Sequence, residues 1–383
     1  MGLRRQMGLR HQRDQERGRN GMRYETGAIR GVNLGNWLVL EKWMGSSPLS
    51  SATSPDDRGL IDEFNPQELD GMLRAHYESY VTADTFAWLA QNGANLVRIP
   101  VPYHLFGTAH HRPCVAYLDM AMDWAAEQGM GVLIDLHTVP MGQNAFDNGG
   151  YLGMCAWHKD PARIDFVLGV LERIARRYAG HSALWGLQPL NEPASPEVLK
   201  GHLAAAREEY PERVAVSEAI PKVVLRDFYQ RFFDMARPIL GPGVALVFHD
   251  RFRLGEWDRF MVGDGYENVW IDTHQYLCFA DGDFERYDLE EYLRKVRLVA
   301  REVRRAAKYH RVLVGEWCLG NHASAPRELD EAGARAWYRV FADAQLGVWD
   351  EVGGSCFWSL RIDSPDHANW SFEKCADRGW ICL

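Results

Sequence analysis

From residue 24 onward, short β-rich apolar runs alternate with helical patterns, and this alternation constrains the chain more than any other feature. The runs cover 29–34, 95–100, 131–137, 184–191, 244–249, 269–276, 312–317 and 355–360. The segments between them read as helices. Ile164, Val167, Leu168, Leu171, Ile174, Ala175 and Tyr178 recur at i, i+3, i+4 and i+7 spacing. Asp160 and Pro161 supply the start of that helix and Gly180 its stop. A second helix places Leu289, Tyr292, Leu293, Val296, Ala300, Val303 and Ala307 on one face. Arg294, Arg297, Arg301, Arg304 and Arg305 lie elsewhere around it and read as a solvated face. Nearly continuous apolar strands between amphipathic helices imply a parallel sheet covered by helices. Eight such units in about 360 residues fit an α/β fold of one kind, a single (β/α)8 TIM barrel with long βα loops, better than an open doubly wound sheet. No linker, repeat or low-complexity segment interrupts residues 24–383, so one catalytic barrel is expected there. No GxGxxG or GxxxxGK[ST] follows a strand, and no cofactor is expected.

The net charge of −9 argues against a nucleic-acid partner, because phosphate binding leaves a basic footprint. Residues 1–23 are the exception: seven arginines against Asp14 and Glu16 make a tail of +5 on a body of −14. The tail has almost no Ser and no apolar face, unlike a transit peptide. With Met7 and Met22 as alternative starts, it is expected to be disordered or untranslated. No signal-peptide core and no apolar run of membrane-spanning length is present, so no membrane partner is expected. The seven cysteines are odd in number and scattered without CxxC spacing. They predict reduced thiols, a cytoplasmic location and no structural zinc.

In a parallel barrel the chemistry gathers at the C-terminal strand ends. Those ends carry Asn33, Arg98, His137, Asn191, Glu192, His249, Asp250, His274, Tyr276, Glu316, Trp317 and Trp358. Glu192 and Glu316, after the fourth and seventh strands, would face each other across the mouth. Such a pair is what glycoside hydrolysis needs: an acid to protonate the leaving oxygen and an ionised partner at the anomeric carbon. Arg98 can align and ionise the nucleophile, and Asn191 can donate to a sugar 2-OH. Trp37, Trp43, Phe146, Trp157, Phe279, Trp317, Trp358 and Trp370 are placed near the mouth, where flat faces would stack on sugar rings. Carbohydrate is therefore the expected partner. A metal site built from His137, His249 and His274 with Asp135, Asp250 or Asp272 is the competing chemistry. The expectation is none, with Asp135 and Asp272 orienting the histidines two residues later. Cys318 beside Glu316 reads as a buried inert thiol rather than a nucleophile.

The segments 30–44 (RGVNLGNWLVLEKWM), 95–103 (NLVRIPVPY), 133–150 (LIDLHTVPMGQNAFDNGG), 184–193 (LWGLQPLNEP), 247–250 (VFHD), 272–279 (DTHQYLCF), 314–318 (VGEWC) and 357–360 (FWSL) together resemble glycoside hydrolase family 5, and within it the exo-β-1,3-glucanase group. The resemblance runs in order from about residue 28 to the end. It implies a retaining mechanism, with Glu192 matching the family's acid/base and Glu316 its nucleophile. Arg98, His137, Asn191, His274, Tyr276 and Trp358 match the remaining active-site positions. Glu41 looks like a contact to the terminal sugar, and Phe146 and Phe279 like an aromatic clamp on the next one. His249 and Asp250 match a further family motif and are expected at the substrate. Gln275, Leu360, Gly142 and Ala145 stand where the family commonly has His, Trp, Ser and Gly, changes that bear on the outer subsites. The acidic stretch 202–221 reads as a surface insertion or a cleft wall, with the insertion preferred. The function expected is an exo-acting retaining β-glucosidase for β-1,3-linked oligosaccharides or small β-glucosides. An endo-β-glucanase, a β-mannosidase or a glycolipid β-glucosidase would use the same machinery. A non-catalytic sugar-binding barrel is disfavoured because both carboxylates are present.

Overall fold

The computed structural model describes residues 27–279 and 286–383; the basic segment 1–23 lies outside the described residues. Each of the eight apolar runs is a strand: β1 (Ile29–Asn33), β2 (Leu96–Val101), β3 (Gly131–Leu136), β4 (Leu184–Gln188), β5 (Ala245–His249), β6 (Val269–His274), β7 (Arg311–Trp317) and β8 (Gly354–Phe357). They pair in parallel in sequence order and close when β1 meets β8, so the (β/α)8 barrel expected from the alternation is the fold.

Helices α1 (Pro66–Tyr80) and α2 (Ala83–Gln91) follow β1, α3 (Val115–Gln128) follows β2, and α4 (Pro161–Tyr178) follows β3. After β4 come α5 (Pro196–Ala206), α6 (Pro211–Val216) and α7 (Lys222–Leu240); α8 (Leu289–Ala306) precedes β7, and α9 (Glu331–Val352) precedes β8. The start of α4 is as the sequence predicts, with the Asp160 side chain accepting from the Ala162 N–H and Pro161 in the first turn. The arginines of α8 are indeed at the surface; Arg294 pairs with Glu291 and Arg304 with Glu351. Between β5 and β6 the described residues hold only a 3-10 turn, Leu254–Glu256, where the idealised fold has a helix. Among the described residues no helix is long and apolar enough to cross a membrane.

The barrel interior explains where the chemistry sits. Ile29, Leu96, Leu133, Trp185, Ala245, Val247, Trp270, Leu313 and Cys356 form one apolar cluster with a member from every strand, which plugs the lumen. Side chains alternate with period two along a strand. The next inward positions are therefore Arg98 above Leu96, Asp135 above Leu133, and Asp272 then His274 above Trp270. The lumen changes from apolar to polar on approaching the C-terminal end. Pairing of β6 with β7 shifts register between Thr273 and His274, which sets His274 beside Glu316. Irregularities of this kind re-aim side chains at barrel rims.

Candidate active site

Arg98 is fully buried, and four of its N–H donors make hydrogen bonds while the guanidinium also forms an ion pair with Asp135. Nε donates to Gln188 Oε1 at 3.1 Å. One terminal nitrogen donates to Asn33 Oδ1 and Glu316 Oε1, each at 2.9 Å; the other reaches Asn191 Oδ1 at 2.8 Å and Asp135 Oδ2 at 3.0 Å. Burial alone would favour a neutral guanidine, but the charges of Asp135, Glu316 and Asp272 outweigh it and raise the pKa further. The second Glu316 oxygen accepts from the Tyr276 hydroxyl at 2.7 Å. Burial would raise the Glu316 pKa, yet His274 and Arg98 pull it down to about 2. Glu316 is an ionised carboxylate held from both sides.

His274 links this carboxylate to the other one. Its Nδ1 lies 2.7 Å from Glu192 Oε1 and 3.3 Å from Glu316 Oε2, and its Nε2 lies 3.2 Å from Asp272 Oδ2. Burial disfavours the imidazolium, but Glu316, Asp272 and Glu192 together raise its pKa well above the ordinary value. Asp272 is fixed in turn by Gln188 Nε2 at 2.7 Å and the Gly315 N–H at 2.7 Å. Position 315 has no room for a side chain, since a Cβ would stand 2.2 Å from Asp272 Oδ1.

Glu192 has φ of 43°, in the left-handed region that costs a non-glycine residue ~1–2 kcal/mol. The loop holds it there: the Asn191 N–H donates to the Leu136 carbonyl and Gln143 Nε2 donates to the Asn191 carbonyl. Its Oε2 accepts from Asn148 Nδ2 at 2.8 Å. His137 takes its orientation from Asp135 at 2.6 Å and meets Asn191 Nδ2 at 3.2 Å, and Trp358 stacks parallel to its ring. Asp135 and Asp272 therefore orient the histidines two residues after them, as the alternation predicts.

Glu41 is buried with Oε2 accepting from Trp43 Nε1 at 2.8 Å. Burial, then Asp147, and more weakly Glu316 and Glu192, raise its pKa well above the carboxylate range. Trp43 meets Trp370 edge-on, and Trp370 stacks on Tyr276 and touches Phe279. Phe146 belongs to a separate group, with His202 at 4.1 Å and Phe252 at 6.3 Å between ring centroids.

Several expectations are corrected. Trp37, Trp157 and Trp317 do not line the mouth: Trp37 donates to the Tyr77 carbonyl in the main core, Trp157 packs on Phe228 of α7, and Trp317 packs against Trp349 and Phe357. The Asp250 oxygens accept from the Phe252 N–H and the Thr273 hydroxyl, contacts that brace the β5 loop. The stretch 202–221 is more than a surface insertion. His202 of α5 covers Phe146, while Arg213 pairs with Asp56 and donates to the Leu152 carbonyl, bracing the β3 loop. Asp147, Asn148 and Gln188 were not singled out by sequence. The first two lie inside the segment 133–150, and their adjacency to Glu41 and Glu192 depends on how that loop folds over the mouth.

Glu192, His249 and His274 place one carboxylate oxygen and two ring nitrogens within 4.8 Å of one another, a grouping that could hold a metal. The hydrogen-bond pattern does not suit metal ligation. His249 Nδ1 accepts the Arg251 N–H at 3.0 Å, which leaves the hydrogen on Nε2, and both His274 nitrogens already face carboxylate oxygens, Glu192 at Nδ1 and Asp272 at Nε2. Both histidines present N–H donors, not lone pairs.

A family model described as Cellulase (glycosyl hydrolase family 5) matches residues 56–350. A probable glucan 1,3-beta-glucosidase A of Aspergillus fumigatus is 32% identical over 393 aligned residues, spanning 92% of this chain and 87% of that protein. A glucan 1,3-beta-glucosidase of Schwanniomyces occidentalis is 26% identical, spanning 93% and 88%. Among solved structures, a rutinosidase from Aspergillus niger has a TM-score of 0.72 at 21% identity, covering 93% of this chain and 98% of that one, a likeness of fold.

Proposed function

The chain belongs to glycosyl hydrolase family 5, and from that premise we propose that it is a retaining, exo-acting β-glucosidase for β-1,3-linked gluco-oligosaccharides or small β-glucosides. Glu316 is the nucleophile and Glu192 the acid/base. The observation that carries this is the single His274 Nδ1 lying between the two carboxylates. Its two contacts bring those oxygens closer than the ~6.5 Å at which inverting pairs begin, leaving no room for a water between nucleophile and sugar.

Glu192 protonates the leaving oxygen while ionised Glu316 attacks the anomeric carbon, giving a glycosyl ester. Glu192, now a carboxylate, takes a proton from water, which displaces Glu316 and releases the β-anomer. Arg98 and Tyr276 keep Glu316 aligned, and Asn191 Nδ2, which among the described residues meets His137 alone, has a second hydrogen for the sugar 2-OH. Exo action is supported by buried Glu41 and half-buried Asp147, two further carboxyl groups that interact electrostatically with each other and with Glu192 and are suited to terminal hydroxyls. The β-1,3 preference is supported by the activity in the names of the curated relatives.

The test is hydrolysis of linkage-defined glucose disaccharides with proton NMR of the first product. β-Glucose from the 1,3-linked disaccharide is expected, with Glu316→Gln folded and inactive. Initial α-glucose, or a Glu316→Gln variant with near-wild-type kcat, refutes the mechanism; a stronger activity on a 1,4-linked or mannosyl substrate refutes the specificity.

A further inference from the structure

The mechanism above leaves one fully buried side chain at the site without a task. His249 ends β5, and its Nδ1 accepts the Arg251 N–H at 3.0 Å. Asp250 Oδ1, at 3.6 Å from the same nitrogen, is beyond hydrogen-bond reach. An imidazole whose Nδ1 is an acceptor carries its hydrogen on Nε2. Among the described residues, that Nε2 has no hydrogen-bond partner. Buried donors are almost always satisfied, so a donor left open beside the reacting groups points to an acceptor that arrives during the reaction. The His249 ring meets the His274 ring at 4.5 Å, nearly perpendicular, and the burial and the His274 charge both keep His249 neutral.

An acceptor is nearby: one Glu192 oxygen lies within 4.8 Å of one of the two His249 ring nitrogens, and the open hydrogen of that ring is on Nε2. We propose that His249 is a positioning residue for Glu192, donating from Nε2–H to the Glu192 carboxylate in the glycosyl-enzyme. This rests on reading Glu192 as the acid/base. In the free enzyme Glu192 has His274 on Oε1 and Asn148 on Oε2. Once the leaving group has taken its proton, Glu192 carries the full charge while water approaches and competes for those same oxygens. A carboxylate offers about four lone-pair positions, so it accommodates a third donor along with the water. The proton stays on His249 throughout; no bond to it is made or broken.

The reading makes a kinetic distinction. With an activated aryl β-glucoside the leaving group needs no proton, and hydrolysis of the glycosyl-enzyme limits kcat. His249→Phe keeps the ring and removes the donor. It is expected to lower kcat by about 10- to 100-fold, the range for losing one hydrogen bond to a charged group. KM falls in parallel, so kcat/KM stays within about twofold by the same argument, since the first step is spared. Azide, which attacks without a base, restores turnover, and His249→Gln, which again offers an N–H, recovers most of kcat. His249→Met, also without a donor, gives the same split if the phenylalanine variant does not fold. Wild-type kcat, or a loss in kcat/KM equal to that in kcat with KM unchanged and no azide response, overturns the proposal. Glu192→Ala, measured alongside, separates the two readings. If it shows neither leaving-group dependence nor azide rescue, the acid/base assignment itself fails; if it shows both and the His249 variants show neither, only the role of His249 fails.

Discussion

Replacing Arg98 by lysine keeps the charge and removes the fork, so it isolates what the fork does. Arg98 makes four hydrogen bonds, to Asn33, Gln188, Asn191 and Glu316, and an ion pair with Asp135. Lysine has three donors on one nitrogen, so at least one of the four buried acceptors loses its partner. An orphaned group costs ~1–3 kcal/mol, against the ~5–15 kcal/mol by which a folded chain is usually stable. The variant should fold but unfold at lower urea. Losing one aligned, charge-assisted donor from the nucleophile should also lower kcat/KM by about 10- to 100-fold. The Glu316 pKa, held at about 2 by His274 and by the Arg98 charge that lysine retains, should stay low, and the acid limb of the kcat/KM profile should not move. Urea unfolding with a pH series on an aryl β-glucoside measures all three. A lysine variant within about 1 kcal/mol of wild type in stability and within threefold in kcat/KM, both inside the range of ordinary surface substitutions, would show that charge alone suffices.

Gly315→Ala drives a methyl to 2.2 Å from Asp272 Oδ1 and breaks the hydrogen bond from the residue's own N–H. A loss of about 3 kcal/mol in stability is expected from the overpacking, with a fall in kcat because Asp272 orients His274; an alanine variant with wild-type kcat refutes that link. Burial raises the Asp250 pKa to about 7, against partial relief from Thr273 and the Phe252 N–H. A folded-state pKa above the unfolded value of ~3.9 means stability is greatest below pH 4 and is lost as pH rises toward 7, by on the order of 4 kcal/mol at ~1.4 kcal/mol per unit. Asp250→Asn cannot ionise, so urea unfolding at pH 5 and pH 8 should differ less in the variant than in wild type; identical pH dependence refutes the assignment.

The barrel was legible because its signals are local and repeated: an apolar run long enough for a strand, then a face at helical spacing. Arg98, His137, Asn191, Glu192, His274 and Glu316 were legible because barrel topology sends strand ends to one face, and the structure brings these residues together. Loop geometry was not readable in the same way. Asn148 meets Glu192, and Asp147 approaches Glu41, only because the loop after β3 turns back over the mouth, with Ala145 at φ of 66° where the resemblance predicts glycine. Trp37, Trp157 and Trp317 fell on the wrong side for a related reason. Sequence proximity to the mouth does not fix which way a large side chain turns, and each found a packed apolar surround. Asp250 illustrates the period-two rule, since the residue after an inward-facing His249 points away from it.

In the proposed mechanism the two carboxylates meet different demands. A nucleophile that must attack one carbon gains from being immobile in near-attack geometry. Glu316 is so held, with Arg98 on one oxygen, Tyr276 on the other, and an arginine that is itself fixed by Asn33, Gln188 and Asn191. Glu192 must serve two oxygens in succession, the leaving group's and then water's. Its supports are of a more adjustable kind: an amide on a one-turn 3-10 segment, Asp147–Gly149, an imidazolium shared with the nucleophile, and a left-handed backbone fixed by loop contacts. His274 couples the two. Its proton is held by negative charge on both sides, and forming the glycosyl ester removes the Glu316 charge as Glu192 gains one. The imidazolium is thus drawn from the nucleophile toward the acid/base at the step when Glu192 must become a base, so one side chain can rebalance the site without a change in its net charge.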